Sequence, residues 1–349
     1  MMTKVRERGE AVRRYIVAHV DKHPTAIAKM TADKFDITRQ AVNKHLQKLV
    51  SENALTQEGN TRNRSYKLAS LVRWMKHYDL VEGLEEDRVW RDDVALSLGQ
   101  LPQNALDIWH HGFTEMLNNA IDHSEGTVIS VVFEKTAAST RISIHDDGVG
   151  IFRKIQTALK LMDERHAVLE LAKGKLTTDP ARHTGEGIFF SSRMFDYFET
   201  LSGGVYFSHQ FDRNQDWISE RDKSMNGTSV FMELNNHTAR TTRKVFDKFT
   251  SGEGFGDFTK TVVPVRLARY GEENLVSRSQ AKRLLARVDR FQTVIFDFHD
   301  VESIGHAFAD EIFRVFATQH PKMMLTEMNA NSAVKRMINR VRGGADQMG

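Results

Sequence analysis

Apolar positions recur every three to four residues early in the chain and every two residues in its middle. Between Thr25 and Leu49, two short apolar periods flank Asp36 and Thr38, which predicts two helices joined by a tight turn. Thr38 is placed to cap the second helix, because its hydroxyl can accept a backbone N–H that the first turn leaves unpaired. In that helix Val42, Leu46 and Leu49 form a buried stripe, and Arg39, Gln40, Asn43, Lys44 and Gln47 fall on the other side. Two strand-like runs around Gly59-Asn60 follow, carrying Arg62, Arg64 and Lys67, so residues 1–68 read helix–helix–helix–hairpin. Residues 69–100 show helical patterns and are expected to be a helical connector. Beyond them, alternation predicts strands at Thr127–Glu134, Arg141–Asp146, Val205–Phe211 and Thr228–Glu233. Over 258–349, strands at Thr261–Tyr270, Gln292–His299 and Lys322–Met328 alternate with helices at Ser279–Arg290, His306–Thr318 and Ser332–Arg342, the pattern of a small α/β sandwich. The expected fold is multidomain α/β.

Composition narrows the class. The 349 residues suffice for two or three domains, and 40% hydrophobic with 27% charged residues is ordinary for a globular protein. No apolar run reaches the roughly 18 residues of a membrane helix, and the basic N-terminus lacks the apolar stretch of a secretory signal. The absence of cysteine excludes disulfides, thiolate nucleophiles and Cys-bound zinc. A cytoplasmic location without membrane contact is the expectation. The net charge of +3 hides an asymmetry: residues 1–68 hold 14 Lys and Arg against 7 Asp and Glu, a net +7, and the remainder carries −4. A basic module on a mildly acidic body points to a polyanion as the partner of the first segment.

Candidate chemistry lies in the middle. In the run Phe113–Ser124, Glu115 and Asn119 are four apart on a helix, and Asp122 and His123 continue that side. A carboxylate there can orient or deprotonate a water, and an amide oxygen can ligate Mg²⁺. The run Arg141–Ile151 is a strand entering a glycine loop. Ile142, Ile144 and Asp146 share parity, so the Asp146 carboxylate is directed to the buried face, where it needs a donor such as the adenine amine. Gly148 and Gly150 allow close backbone approach beside Ile151. His183-Thr184-Gly185-Glu186-Gly187 opens a helix whose N–H groups can cradle phosphate, and Asn226-Gly227-Thr228 leads into a strand. No P-loop lysine pattern occurs.

In this order the four segments resemble the nucleotide-binding boxes of the GHKL (Bergerat-fold) ATPases, which include gyrase, MutL-type proteins, histidine kinases and anti-sigma kinases. The resemblance covers about 100–235, and implies a GHKL α/β sandwich at 101–240 that binds ATP and Mg²⁺. By it, Glu115 matches the general base and Asn119 the Mg²⁺ ligand. Asp146 matches the adenine reader, with Gly148 and Gly150 beside it; Gly185 and Gly187 match the phosphate loop, and Thr228 the hydroxyl near adenine. Asp122, His123, Ile151 and Thr184 complete the expected nucleotide set. Phe152–Thr184 would be the lid, with Lys173, Lys175, Arg182 and His183 as its cations. Residues 9–68 resemble winged helix-turn-helix domains, an α+β fold. That resemblance implies DNA binding through Thr38, Arg39, Gln40, Asn43, Lys44, Arg62 and Arg64. The run Gln292–Phe313 resembles STAS-like domains, which implies a STAS-like α/β sandwich over 258–349 and a surface for a protein partner; a homodimer is a separate expectation for the chain.

Histidine kinases place a phosphoacceptor hairpin before the ATP domain; only His77 lies in the short stretch here, so autokinase activity is not expected. Ser303, one place before Ile304-Gly305, is read first as the cap of the His306–Thr318 helix and second as a phosphoacceptor for the ATPase half. The leading expectation is an ATP-responsive DNA-binding regulator with slow ATP hydrolysis. Alternatives are a serine kinase of the anti-sigma type and a scaffold that binds nucleotide without turnover.

Overall fold

The computed structural model describes residues 2–60, 63–80, 83–176, 185–212, 215–250, 258–269 and 273–343. Among these described residues the chain is mixed α/β, with three sheets. Helices α1 (Met2–His19), α2 (Ile27–Phe35) and α3 (Arg39–Ser51) precede a hairpin of β1 (Leu55–Glu58) and β2 (Ser65–Leu68). Val12, Ile16, Val42, Leu46, Leu49, Leu55 and Tyr66 close a small core of their own. Thr38 caps α3 by accepting the Ala41 N–H at 3.2 Å.

The middle of the chain is a five-stranded antiparallel sheet in the order β3–β4–β5–β7–β6. Its strands are β3 (Val72–Asp79), β4 (Val128–Lys135), β5 (Ser139–Asp146), β6 (Tyr197–Gln210) and β7 (Gln215–Asn235). One correction concerns residues 69–100, which are not a helical connector. β3 pairs along its length with β4, from Val72–Lys135 to Asp79–Val128. Val72, Trp74 and Tyr78 alternate inward, and Trp74 stacks on Phe133 with centroids 5.2 Å apart. The polar run Lys76-His77 hides this period, because Lys76 lies at the sheet margin and pairs with Asp93. Helix begins only at residue 86, in α4 (Glu86–Val89) and α5 (Ala95–Leu98), joined by a π turn over Trp90–Val94.

Helix α6 (Gln103–His123) covers one face of the sheet, burying Trp109, Phe113, Met116 and Leu117 against Ile129, Val131, Ile142 and Ile144. Helices α7 (Ile151–Leu159), α8 (Glu164–Lys173) and α9 (Gly187–Met194) lie between β5 and β6, and α10 (Thr242–Asp247) follows β7. The β6–β7 hairpin is far longer than alternation alone predicts, pairing from Tyr197–Glu233 to Gln210–Gln215 with an irregularity at Gly203.

The last part is a three-stranded parallel sheet, β10–β9–β8, from β8 (Lys260–Pro264), β9 (Thr293–Asp297) and β10 (Met324–Met328). β8 stops at Pro264, which cannot donate to a ladder, and continues as a 3-10 turn rather than as strand to residue 270. Helix α11 is Arg278–Leu285, and α12 (His306–Asp310) runs through a π turn at Glu311–Phe316 into α13 (Ala317–Gln319). Helix α14 (Ser332–Gly343) follows β10. Ser303 is exposed and is not the cap of α12; Gly305 holds that position without a side-chain bond. The middle and C-terminal sheets share one contiguous core. Phe189, Phe190, Phe249 and Phe258 pack there, with Phe189 and Phe258 centroids 4.7 Å apart.

Candidate functional site

A narrow cleft, with a cavity volume of about 30 Å³, opens where α6, β5, β7 and the start of α7 and α9 meet. It is lined by Asn119 and His123 of α6, Asp146 of β5, Ile151 of α7, Ile188 of α9 and Thr228 of β7. Alternation puts Asp146 on the same face as Ile142 and Ile144. Its Oδ1 accepts the Gly148 N–H at 3.0 Å and the Thr228 N–H at 3.2 Å. Burial raises the Asp146 carboxyl above the ordinary aspartate range, against the pull of these donors. No lysine or arginine pairs with it among the described residues, so its charge is met by two backbone N–H groups and the Thr228 hydroxyl.

The neighbouring Asp147 does different work. It accepts the Thr127 hydroxyl and N–H, each at 2.6 Å, and the Val128 N–H at 3.0 Å. Those bonds, the Thr127 hydroxyl first, hold its pKa down at about 2. Asp147 therefore fixes the start of β4, leaving Asp146 to the cleft. Thr228 joins the two glycine segments, since its Oγ1 accepts the Ile151 N–H at 3.0 Å.

Two glycines set the walls. Gly227 has φ +74°, and a Cβ there would lie 1.9 Å from the Asp146 carbonyl oxygen. At Gly187, the first residue of α9, a Cβ would fall 2.0 Å from Glu115 Oε2. The Glu115 carboxylate thus rests against the backbone at the α9 N-terminus, four residues before Asn119 on α6. Gly148 packs on the end of α6, where Val149 N–H donates to the Ser124 carbonyl at 2.8 Å, and Gly150 is the N-cap residue of α7. The Gly185 carbonyl accepts the Leu176 N–H at 2.9 Å.

Asp122 is exposed at the end of α6 and does not line the cleft. Thr184, with Arg182 and His183, lies outside the described residues. Lys173, a candidate lid cation from sequence, faces the end of α11 instead. Its Nζ lies 2.7 Å from Glu170 Oε1 and donates to the Ala286 and Arg283 carbonyls at 2.7 and 3.2 Å. Its side chain is 1% exposed. Lys175 sits over the Phe258 and Phe291 rings. The further lining residues Met116, Ile188, Thr200 and Val230 escaped the sequence reading as site residues. Met116 and Ile188 adjoin Glu115 and Gly187, but Thr200 enters through a β6 register that local pattern does not reveal.

A second candidate surface lies on α3. Thr38, Arg39, Gln40, Asn43 and Lys44 are all exposed. Arg64 is half-buried, and Arg62 is outside the described residues.

Comparison with known families speaks to the other end of the chain. Residues 280–335 match the model of a STAS-like domain of unknown function (DUF4325). The matched stretch of this STAS-like domain runs from within α11 through β9 and β10 to the first turn of α14. No curated protein matches the chain. Among the described residues, no helix is long and apolar enough to cross a membrane.

Proposed function

We propose that the middle of the chain is a GHKL-type ATP-binding domain and that the protein is an ATP-responsive DNA-binding regulator. The observation that carries this reading is the gathering of Asn119, Asp146, Ile151 and Thr228, from three separate sequence segments, around one cleft. The donor set suits a purine triphosphate. Asp146 offers a half-buried anionic acceptor for an exocyclic amine, and Met116, Ile144 and Val230 offer apolar walls for a base. The α9 N-terminus provides N–H groups for phosphate, close to which Gly187 leaves no room for a side chain. Asn119 would hold Mg²⁺ through its amide oxygen, and the metal would supply charge neutralisation on the phosphates. Glu115, against the same backbone, is positioned to orient a water for slow hydrolysis.

In this reading the three N-terminal helices and hairpin form a winged helix-turn-helix whose α3 face meets DNA. Arg39 and Lys44 would contact phosphates, and Gln40 and Asn43 would reach base edges. The test is phosphate release from Mg·ATP by the purified protein and its Glu115→Gln variant. Release by the wild type and its loss in the variant are expected. Binding without any release would instead favour a nucleotide-binding scaffold.

One observation favours a second reading, a serine kinase of the anti-sigma type. Ser303 is exposed and is not needed as a helix cap, which leaves its hydroxyl available as an acceptor. γ-Labelled ATP separates the readings: label retained on the protein and lost in Ser303→Ala supports the kinase, and free phosphate alone supports the ATPase.

A further inference from the structure

Helix α14 carries Lys335, Arg336, Arg340 and Arg342 and no acidic residue. Val334, Ile338 and Val341 bury one side of it against the STAS-like core. At 3.6 residues per turn, Ser332, Lys335, Arg336, Asn339 and Arg340 fall on the opposite side, and all five are exposed. The cations of this stripe differ from others nearby. Arg278 pairs with Asp310, Lys282 with Glu311, Arg314 with Asp310 and Arg342 with Glu327. Among the described residues, no carboxylate pairs with Lys335, Arg336 or Arg340.

The stripe has the chemistry of the exposed α3 face: Lys, Arg and amide donors with no carboxylate between them. Unpaired cations of one sign on a rigid helix repel one another unless a polyanion meets them. Amide side chains beside them add donors for phosphate oxygens, which accept from Asn as readily as from Lys or Arg.

We propose that α14 is a second DNA-contacting surface, with Lys335, Arg336 and Arg340 on backbone phosphates and Asn339 beside them. The inference rests on the reading of the protein as a DNA binder and extends it to the C-terminal domain. Phosphate contacts release counterions, so each one steepens the salt dependence of binding, with a slope near −0.9 per contact in log–log form.

The test is titration of the full chain against a random-sequence duplex over a range of salt concentrations. The probes are wild type, a Lys335→Gln/Arg336→Gln/Arg340→Gln variant, and an Arg39→Gln/Lys44→Gln variant. The triple variant should lower the magnitude of the log–log slope by about 2 to 3 and weaken binding about tenfold or more near 0.1 M salt. A charge-keeping Arg336→Lys/Arg340→Lys variant should retain the wild-type slope, which a merely structural role for the arginines would not predict. If the triple variant keeps the wild-type slope while the Arg39/Lys44 variant loses affinity, α14 is not a DNA surface and the α3 reading stands. If the full chain binds no duplex even at low salt, both fall together.

Discussion

Two carboxylates in this chain, Glu170 fully buried and Asp146 half-buried, are stabilised in opposite ways. Glu170 on α8 is matched by Lys173 at 2.7 Å, with Arg287 4.0 Å away, and the ammonium is capped by carbonyls of the C-terminal part. Asp146 is also drawn inside, yet only backbone N–H groups and the Thr228 hydroxyl answer it. The first arrangement is closed and joins α8 to the end of α11. The second lines a cleft and keeps an anionic group beside apolar walls. The difference teaches how two carboxylates can be told apart: one is saturated by its own protein, while the other is held by dipoles that fix its position without neutralising it, as the proposed ligand-facing role requires.

Breaking the closed pair should have the largest effect. Lys173→Met leaves Glu170 buried without its nearest cation and should cost about 3–5 kcal/mol of stability, read by denaturant unfolding. Lys173→Met combined with Glu170→Met should recover most of that loss, because two apolar side chains of similar volume leave no buried charge. If the single variant is as stable as wild type, the pair is not what binds α8 to the end of α11. At the cleft, Thr228→Val keeps the shape but removes the acceptor of the Ile151 N–H, and should cost about 1–3 kcal/mol. The same variant should weaken ATP binding, whereas the Lys173 variants should alter it only through folding.

The smallest effect is a pH dependence. Burial raises the folded Asp146 carboxyl, so it takes up its proton at a higher pH than an exposed aspartate would. A raised folded carboxyl favours the protonated native state, so acidification at this position costs ligand binding rather than folding. ATP affinity is therefore expected to start falling at milder acidity than an ordinary aspartate would give, and calorimetry across pH should show a flatter profile for Asp146→Asn. An unchanged profile would mean that Asp146 does not meet the base.

Much of this was legible along the chain. Alternation through Ile142, Ile144 and Asp146 sets which carboxylate turns inward, and the stripe Val42, Leu46, Leu49 sets which side of α3 stays exposed. Thr38 as a cap is a local event, settled by one hydroxyl and one N–H. What was not legible is non-local. β3 is a strand because β4 offers it an edge, and its polar middle disguises the period. Lys173 looks like any lid cation until the carbonyls of Arg283 and Ala286 fold against it from over a hundred residues away. Ser303 has the composition of a cap, but the chain turns into α12 two residues later, at Gly305.

The central claim is that the Asp146 cleft holds ATP. Isothermal titration of the purified full chain with Mg·ATP, alongside Asp146→Asn, tests it most directly. Saturable heat from the wild type and an affinity roughly 10- to 100-fold weaker in the variant are expected, the range for losing a hydrogen bond to a charged acceptor. No heat from the wild type, or equal affinity in both proteins, would contradict the account.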